Sequence, residues 1–174
     1  EVYFIQGTPP ESIAYLSAGS GIGCGVVSGE HFPVIPRGHQ GLVGEIGHTV
    51  LVADGAPCHC GNHGCAETLV SGWMLRESLG VAADASLSAS LLARLDEPEV
   101  SAALARAGRA LGLLMLNLHH TLNPSMLILG GSLMRLGAPL VAPALAYFDA
   151  HQNDLLRQSQ RVPVKVVEDR SEEH

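Results

Sequence analysis

The stretch "GEIGHTVLVADGAPCHCGNHGCAET", from Gly44 to Thr68, constrains this chain more than any other. Three of its four cysteines, Cys58, Cys60 and Cys65, fall within eight residues of one another, with Gly55, Gly61 and Gly64 between or beside them. A disulfide framework suits a short secreted domain, but the chain shows no charged segment followed by an apolar leader core, so nothing in it points to export. A reducing, cytoplasmic setting is the expectation. Cysteines at C-x-C spacing make a strained disulfide, whereas two thiolates on one tight loop can both face a metal at about 2.3 Å. The glycines mark backbone wound closely around something.

A closed structural zinc site takes four ligands. His48 stands at the far end of a strand-like run, "HTVLV", that leads into an Asp54-Gly55 turn able to bring it back to the cysteines. His59 and His63 compete for the same place, although His59 lies between two ligands, where its side chain tends to point away. The expected set is His48, Cys58, Cys60 and Cys65. Cys24 stands apart in an apolar, strand-like context and reads as a buried, inert thiol.

The runs "GHQGLVGEIGHTVL" and "CHCGNHGCAE" together resemble the signature of the ROK family, named for its repressors, open reading frames and sugar kinases. The resemblance joins the E-x-G-H pattern at Glu45 to His48, the C-x-C-G-x-x-G-C knot, and Glu67 two residues past the last cysteine. It extends from "LSAGSGIGCGVVSG" to "LNPSMLILGGSL" and is weakest between about Val81 and Pro98 and in the last ten residues. It implies that the knot binds zinc and forms part of a sugar site. Glu45 and Glu67 would accept hydrogen bonds from sugar hydroxyls, while His48 would bind zinc through one ring nitrogen and face the sugar with the other. Metal ligation would also fix the tautomer and direction of that second nitrogen.

Two glycine turns bear on nucleotide. "AGSGIGCG" looks like the family's phosphate loop, with Ser20 where the kinases usually carry threonine and Gly21 beside it, although a plain hairpin also wants such glycines. "LGGS", with Gly130 and Gly131, lies where the family's kinases seat adenosine. ATP is therefore expected only if the parent protein is a kinase. In those kinases a catalytic aspartate sits in an Asn-Asp pair upstream of the strands. The pair found here, Asn153-Asp154, is expected on a C-terminal helix surface, so these residues alone should be catalytically incompetent.

At 174 residues, 47% hydrophobic and 16% charged, the composition is that of an ordinary globular domain. A net charge of −7 argues against this segment gripping a phosphate backbone, so DNA would be read only by a segment upstream of Glu1. No apolar run is long enough to span a membrane.

Along the chain, "EVYFIQG" reads as the end of a helix. "SIAYLSA", "GCGVVSG" and "HFPVIPRG" read as an antiparallel meander. Apolar spacing near 3.6 predicts helices over 66–80, 85–96, 98–121 and 138–156, with "SMLILGG" and "VPVKVVE" as strands. Strands followed by β-α-β fit an α/β fold. The resemblance implies the C-terminal lobe of the actin-like ATPase (ribonuclease H-like) sugar-kinase fold, one lobe over 1–174 with the zinc and sugar loop inserted at 44–68. It also implies a homo-oligomer formed through helices of this lobe, although the apolar face of residues 101–118 fits an internal core equally well. The expected role is the sugar-binding, zinc-containing part of a transcriptional regulator. The alternative is the matching lobe of a zinc-dependent glucokinase or N-acetylmannosamine kinase.

Overall fold

A computed structural model of the chain describes residues 11–29, 35–36, 38–154 and 162–167. The expected helix over "EVYFIQG" and most of the third strand, "HFPVIPRG", lie outside the described residues.

Four strands form one mixed sheet in the order β2-β1-β3-β4. β1 (Ser12–Ala18) and β2 (Ile22–Ser28) make an antiparallel hairpin in which Leu16 faces Cys24 and Ala18 faces Ile22. β3 (Met126–Gly130) runs parallel to β1, and β4 (Val164–Val166) runs parallel to β3. The central β3 reads as a nearly continuous apolar run because it is covered on both faces. Leu127, Ile128 and Leu129 are all buried.

Alternation on β1 sets which face receives the helices. Ala14, Leu16 and Ala18 belong to the main core with the helical side chains, while Ile13 and Tyr15 join Ile128 and Met126 in a smaller cluster. Above the main core lie α1 (Glu67–Val70), α2 (Gly72–Ser78), α3 (Leu87–Leu92), α4 (Pro98–Leu122) and α5 (Ala138–His151).

α4 matches its expected span closely, starting on Pro98 and ending where Asn123 turns left-handed at φ 42° and donates its N–H to the His119 carbonyl. Its apolar stripe, including Leu104, Leu111, Leu114, Met115 and Leu118, is buried inside this chain. α5 comes close enough that a Cβ on Gly108 or Gly112 would stand 2.4 Å from the carbonyl oxygen of Leu140 or Ala144. The apolar face of 101–118 is therefore core.

The helix expected over 66–80 is broken at Ser71. That residue is extended (ψ 160°), caps α2 by accepting the Met74 N–H at 3.2 Å, and frees the Gly72 N–H to bond the Gly19 carbonyl. The 85–96 helix shrinks to Leu87–Leu92, capped by Ser86. The 138–156 helix is interrupted after His151: Asn153 lies in the break, Asp154 is again helical, and both are exposed, as expected of a solvated pair. "LGGS" opens a 3-10 turn, Ser132–Leu136, ahead of α5.

Candidate metal centre and adjoining cleft

The "HTVLV" run is not a strand. Ile46–His48 forms a 3-10 turn, and only the bridges Val50 to Cys65 and Pro57 to His63 hold the following loop as a narrow, irregular hairpin. Backbone bonds stitch it closed: Leu51 N–H to Gly64 O (2.8 Å), Cys58 N–H to Asn62 O (2.8 Å) and Ala66 N–H to Thr49 O (2.9 Å). Gly64 is obligatory, being left-handed at φ +69° with the Val52 carbonyl oxygen 1.7 Å from where a Cβ would sit.

This winding gathers His48, Cys58, Cys60 and Cys65 so that one donor atom from each lies within 4.8 Å of all the others. His48 Nδ1 is 3.8 Å from Cys58 Sγ, and the Cys60 and Cys65 sulfurs are 3.7 Å apart. Bonds of about 2.3 Å to sulfur and 2.0 Å to nitrogen give a tetrahedron with edges of about 3.8 Å between sulfurs and about 3.5 Å from nitrogen to sulfur, so these two separations suit a zinc-sized ion. The donor chemistry agrees. Burial, reinforced by its cysteine neighbours, pushes the Cys65 thiol up to about 12, so a thiolate there needs a cation beside it. The exposed Cys60 thiol is held below its ordinary value, chiefly by hydrogen bonding to the backbone of Asn62. His59 and His63 stay outside the cluster, and His59 turns away as its position between ligands led us to expect.

The three expected sugar residues converge beside the knot. With Nδ1 toward Cys58, His48 presents Nε2 to Glu45 Oε2 at 3.9 Å. Glu67 opens α1 and is buried. Its Oε1 accepts the Ile22 N–H at 2.7 Å and its Oε2 accepts the indole N–H of Trp73 at 3.3 Å. Gly47 lets the Glu45–His48 turn press against this carboxylate, since a Cβ there would lie 2.5 Å from the Ile22 carbonyl oxygen and 3.0 Å from Glu67 Cγ.

Gly19, Ser20 and Gly21 form the β1–β2 turn, so the phosphate-loop and hairpin readings describe one element. Gly21 borders the Glu67 carboxylate, because a Cβ there would be 2.6 Å from Oε1. The start of α2 docks on the same turn through Gly72 N–H to Gly19 O (2.8 Å) and Trp73 N–H to Ser20 O (3.2 Å). Gly131, at φ +93°, folds the 3-10 turn over the Ala18 carbonyl, whereas buried Gly130 makes room for the Tyr15 hydroxyl. Ser20 and Ser132 line a cleft of about 340 Å³ with Trp73, Arg76, Ser86 and Arg135. Gly21, Gly130 and Gly131 shape its surroundings without lining it. Cys24 is half-buried, and burial pushes its thiol up to about 11, as suits an inert side chain.

Trp73 is the participant that sequence reasoning missed. It is the only tryptophan, and its place six residues after Glu67 was available, but the break at Ser71 that turns it back toward the carboxylate was not.

The ROK family profile matches residues 1–174. The chain belongs to the ROK family. It is 30% identical over 169 residues to a glucokinase of Halalkalibacterium halodurans, covering 87% of this chain and 50% of that protein. It is 34% identical over 126 residues to the xylose repressor of Bacillus subtilis, covering 71% of this chain and 32% of the repressor. Its structure is similar to the ROK hexokinase of Thermus thermophilus, with a TM-score of 0.76 and 27% identity over 90% of this chain and 52% of the hexokinase. This ROK chain thus has the α/β, actin-like ATPase fold of the family's sugar kinases and spans about half the length of the glucokinase and hexokinase it matches. Among the described residues, no helix is long and apolar enough to cross a membrane.

Proposed function

We propose that this chain is the sugar-binding, zinc-containing C-terminal lobe of a cytoplasmic ROK transcriptional regulator. Zinc is held by His48, Cys58, Cys60 and Cys65, and sugar hydroxyls are bound by Glu45, His48 and Glu67. The observation that carries the reading is the division of His48, whose Nδ1 faces the cysteines while Nε2 faces Glu45. Zinc on Nδ1 orients the ring and its tautomer, so the chain's own residues present a fixed imidazole and two carboxylates to neighbouring hydroxyls. The regulator reading draws on the similarity to the xylose repressor, and the net charge of −7 leaves DNA to a segment outside these residues. The parent is proposed to act as a homo-oligomer.

A sugar kinase remains the second reading, favoured by the cleft beside Ser20 and Ser132, which adjoins the sugar residues and has room for part of a nucleotide. Melting the zinc-loaded chain in glucose or xylose tests sugar binding. Ligand at a hundred times its Kd should stabilise by about 2.7 kcal/mol, and Glu45→Ala should remove the effect. An unchanged melting temperature with both sugars would count against the site. Sugar phosphate formed from ATP by these residues alone would replace the regulator reading with the kinase.

A further inference from the structure

Trp73 touches three parts of the site at once. Its indole N–H donates to Glu67 Oε2, its backbone N–H donates to the Ser20 carbonyl, and its ring carries the His59 ring stacked at 4.1 Å and 28°. His59 stands between Cys58 and Cys60, so whatever fixes those two sulfurs fixes the backbone on either side of the stacked ring. At the other end, the Ile22 N–H holds only Oε1 of the Glu67 carboxylate. The indole supplies the second hydrogen bond and stops the group from pivoting about its last bond.

We propose that Trp73 is a positioning residue that couples metal occupancy of the knot to the orientation of the Glu67 carboxylate, with His59 as the link. The inference rests on the assignment of Glu67 to sugar. With metal bound, His59 is pressed on the indole and the indole N–H stays aimed at Oε2. Without metal, the Cys58–Cys60 segment relaxes, the stack opens and Oε2 loses its donor. Sugar affinity then depends on the metal through a residue that binds neither.

The single tryptophan makes this measurable without activity, because emission excited selectively at the indole, beyond the tyrosine absorption band, reports on Trp73 alone. Chelating zinc from the loaded chain should shift the emission and raise its quenching by acrylamide. In His59→Ala, which retains all four metal ligands and should keep full metal content, loaded and chelated forms should emit alike. Calorimetry with glucose or xylose reads the second arm. Trp73→Phe, which keeps the ring but loses the N–H, should weaken binding about tenfold, the worth of a hydrogen bond to a charged acceptor, with metal content unchanged. His59→Ala should weaken binding in the same direction, and His59→Phe, which restores a stacking ring, should recover it. Emission indifferent to metal in the wild type, or a chelation response that persists in His59→Ala, would overturn the coupling. Wild-type affinity in Trp73→Phe would overturn the positioning role. If the wild type binds neither sugar, the proposed function fails on its own account, and the fluorescence arm still decides whether metal occupancy reaches Trp73.

Discussion

Replacing Gly47 by alanine adds one methyl group at the point where the 3-10 turn meets β2, and the structure says what that methyl meets. The new Cβ would stand 2.5 Å from the Ile22 carbonyl oxygen, 2.9 Å from Ile22 Cβ and 3.0 Å from Glu67 Cγ. The nearest obstacle is backbone in a paired strand, which cannot rotate away. Because real Cβ contacts do not fall below 3.0 Å, the turn must retreat by about 0.5 Å, beyond the tolerance of about 0.2 Å within which metal-ligand distances hold. Glu45 and His48 ride on this turn and move with it. Overpacking of this kind costs about 1–3 kcal/mol, or about 2–4 °C in Tm for each kcal/mol in a chain of this size. Displacing a supporting contact of a metal ligand lowers metal affinity about 10–100-fold. Gly23→Ala is the control, since a Cβ there meets nothing within 4 Å on the neighbouring strand β2. Competition for zinc with a chromogenic chelator, alongside thermal melts, reads both effects. A Gly47→Ala protein that holds zinc as tightly as Gly23→Ala and melts with it would refute the reasoning.

Two further predictions test other parts of the structure. Cys60→Ser should lose the metal and lower the Tm, because a closed site with three remaining ligands no longer ties the loop that leads into Glu67; wild-type metal stoichiometry by elemental analysis would contradict the ligand set. His119 is buried on α4 against Phe148, its ring nitrogens have no hydrogen-bond partner among the described residues, and burial, with His120 adding to it, holds its pKa below the ordinary value. The unfolded chain then binds a proton that the native one resists, so this contribution to stability is complete above about pH 6.5 and is lost as pH falls toward the depressed native value. The Tm difference between wild type and His119→Leu, measured from pH 8 to pH 5, should change in the variant's favour as pH falls; a constant difference would show that the ring is not kept neutral by burial.

What could be read from the sequence divides along physical lines. The α4 stripe and the grouping of Cys58, Cys60 and Cys65 were legible because each is a local code: apolar residues recurring every 3.6 positions, and soft ligands at C-x-C spacing followed by glycines. The knot's internal path was not. "HTVLV" has the composition of a strand, yet Gly64 must sit over the Val52 carbonyl for the cysteines to converge, and that close approach leaves room for one bridge at Val50 instead of a ladder. The break of the 66–80 helix at Ser71 was hidden for a related reason. A serine can sit within a helix or cap one, and here the choice falls to the Gly19 carbonyl, which takes the Gly72 N–H and lies more than fifty positions away in the chain.

That same break ties the two ends of the site together. Glu67 stands before Ser71 and Trp73 after it, so the kink folds the indole back onto the carboxylate while the start of α2 bonds to the β1–β2 turn. Gly21, in that turn, is the glycine whose added Cβ would strike Glu67 Oε1. A continuous helix over 66–80 would carry Trp73 away from Glu67 and leave the turn without its partners. The cysteine knot, the Glu67 carboxylate and the glycine turn are therefore joined by direct contacts into one packed unit. Such rigidity serves either reading of the parent protein. A kinase needs the sugar hydroxyl and the phosphate held in fixed relation, and a regulator needs the occupied sugar site to displace something outside itself.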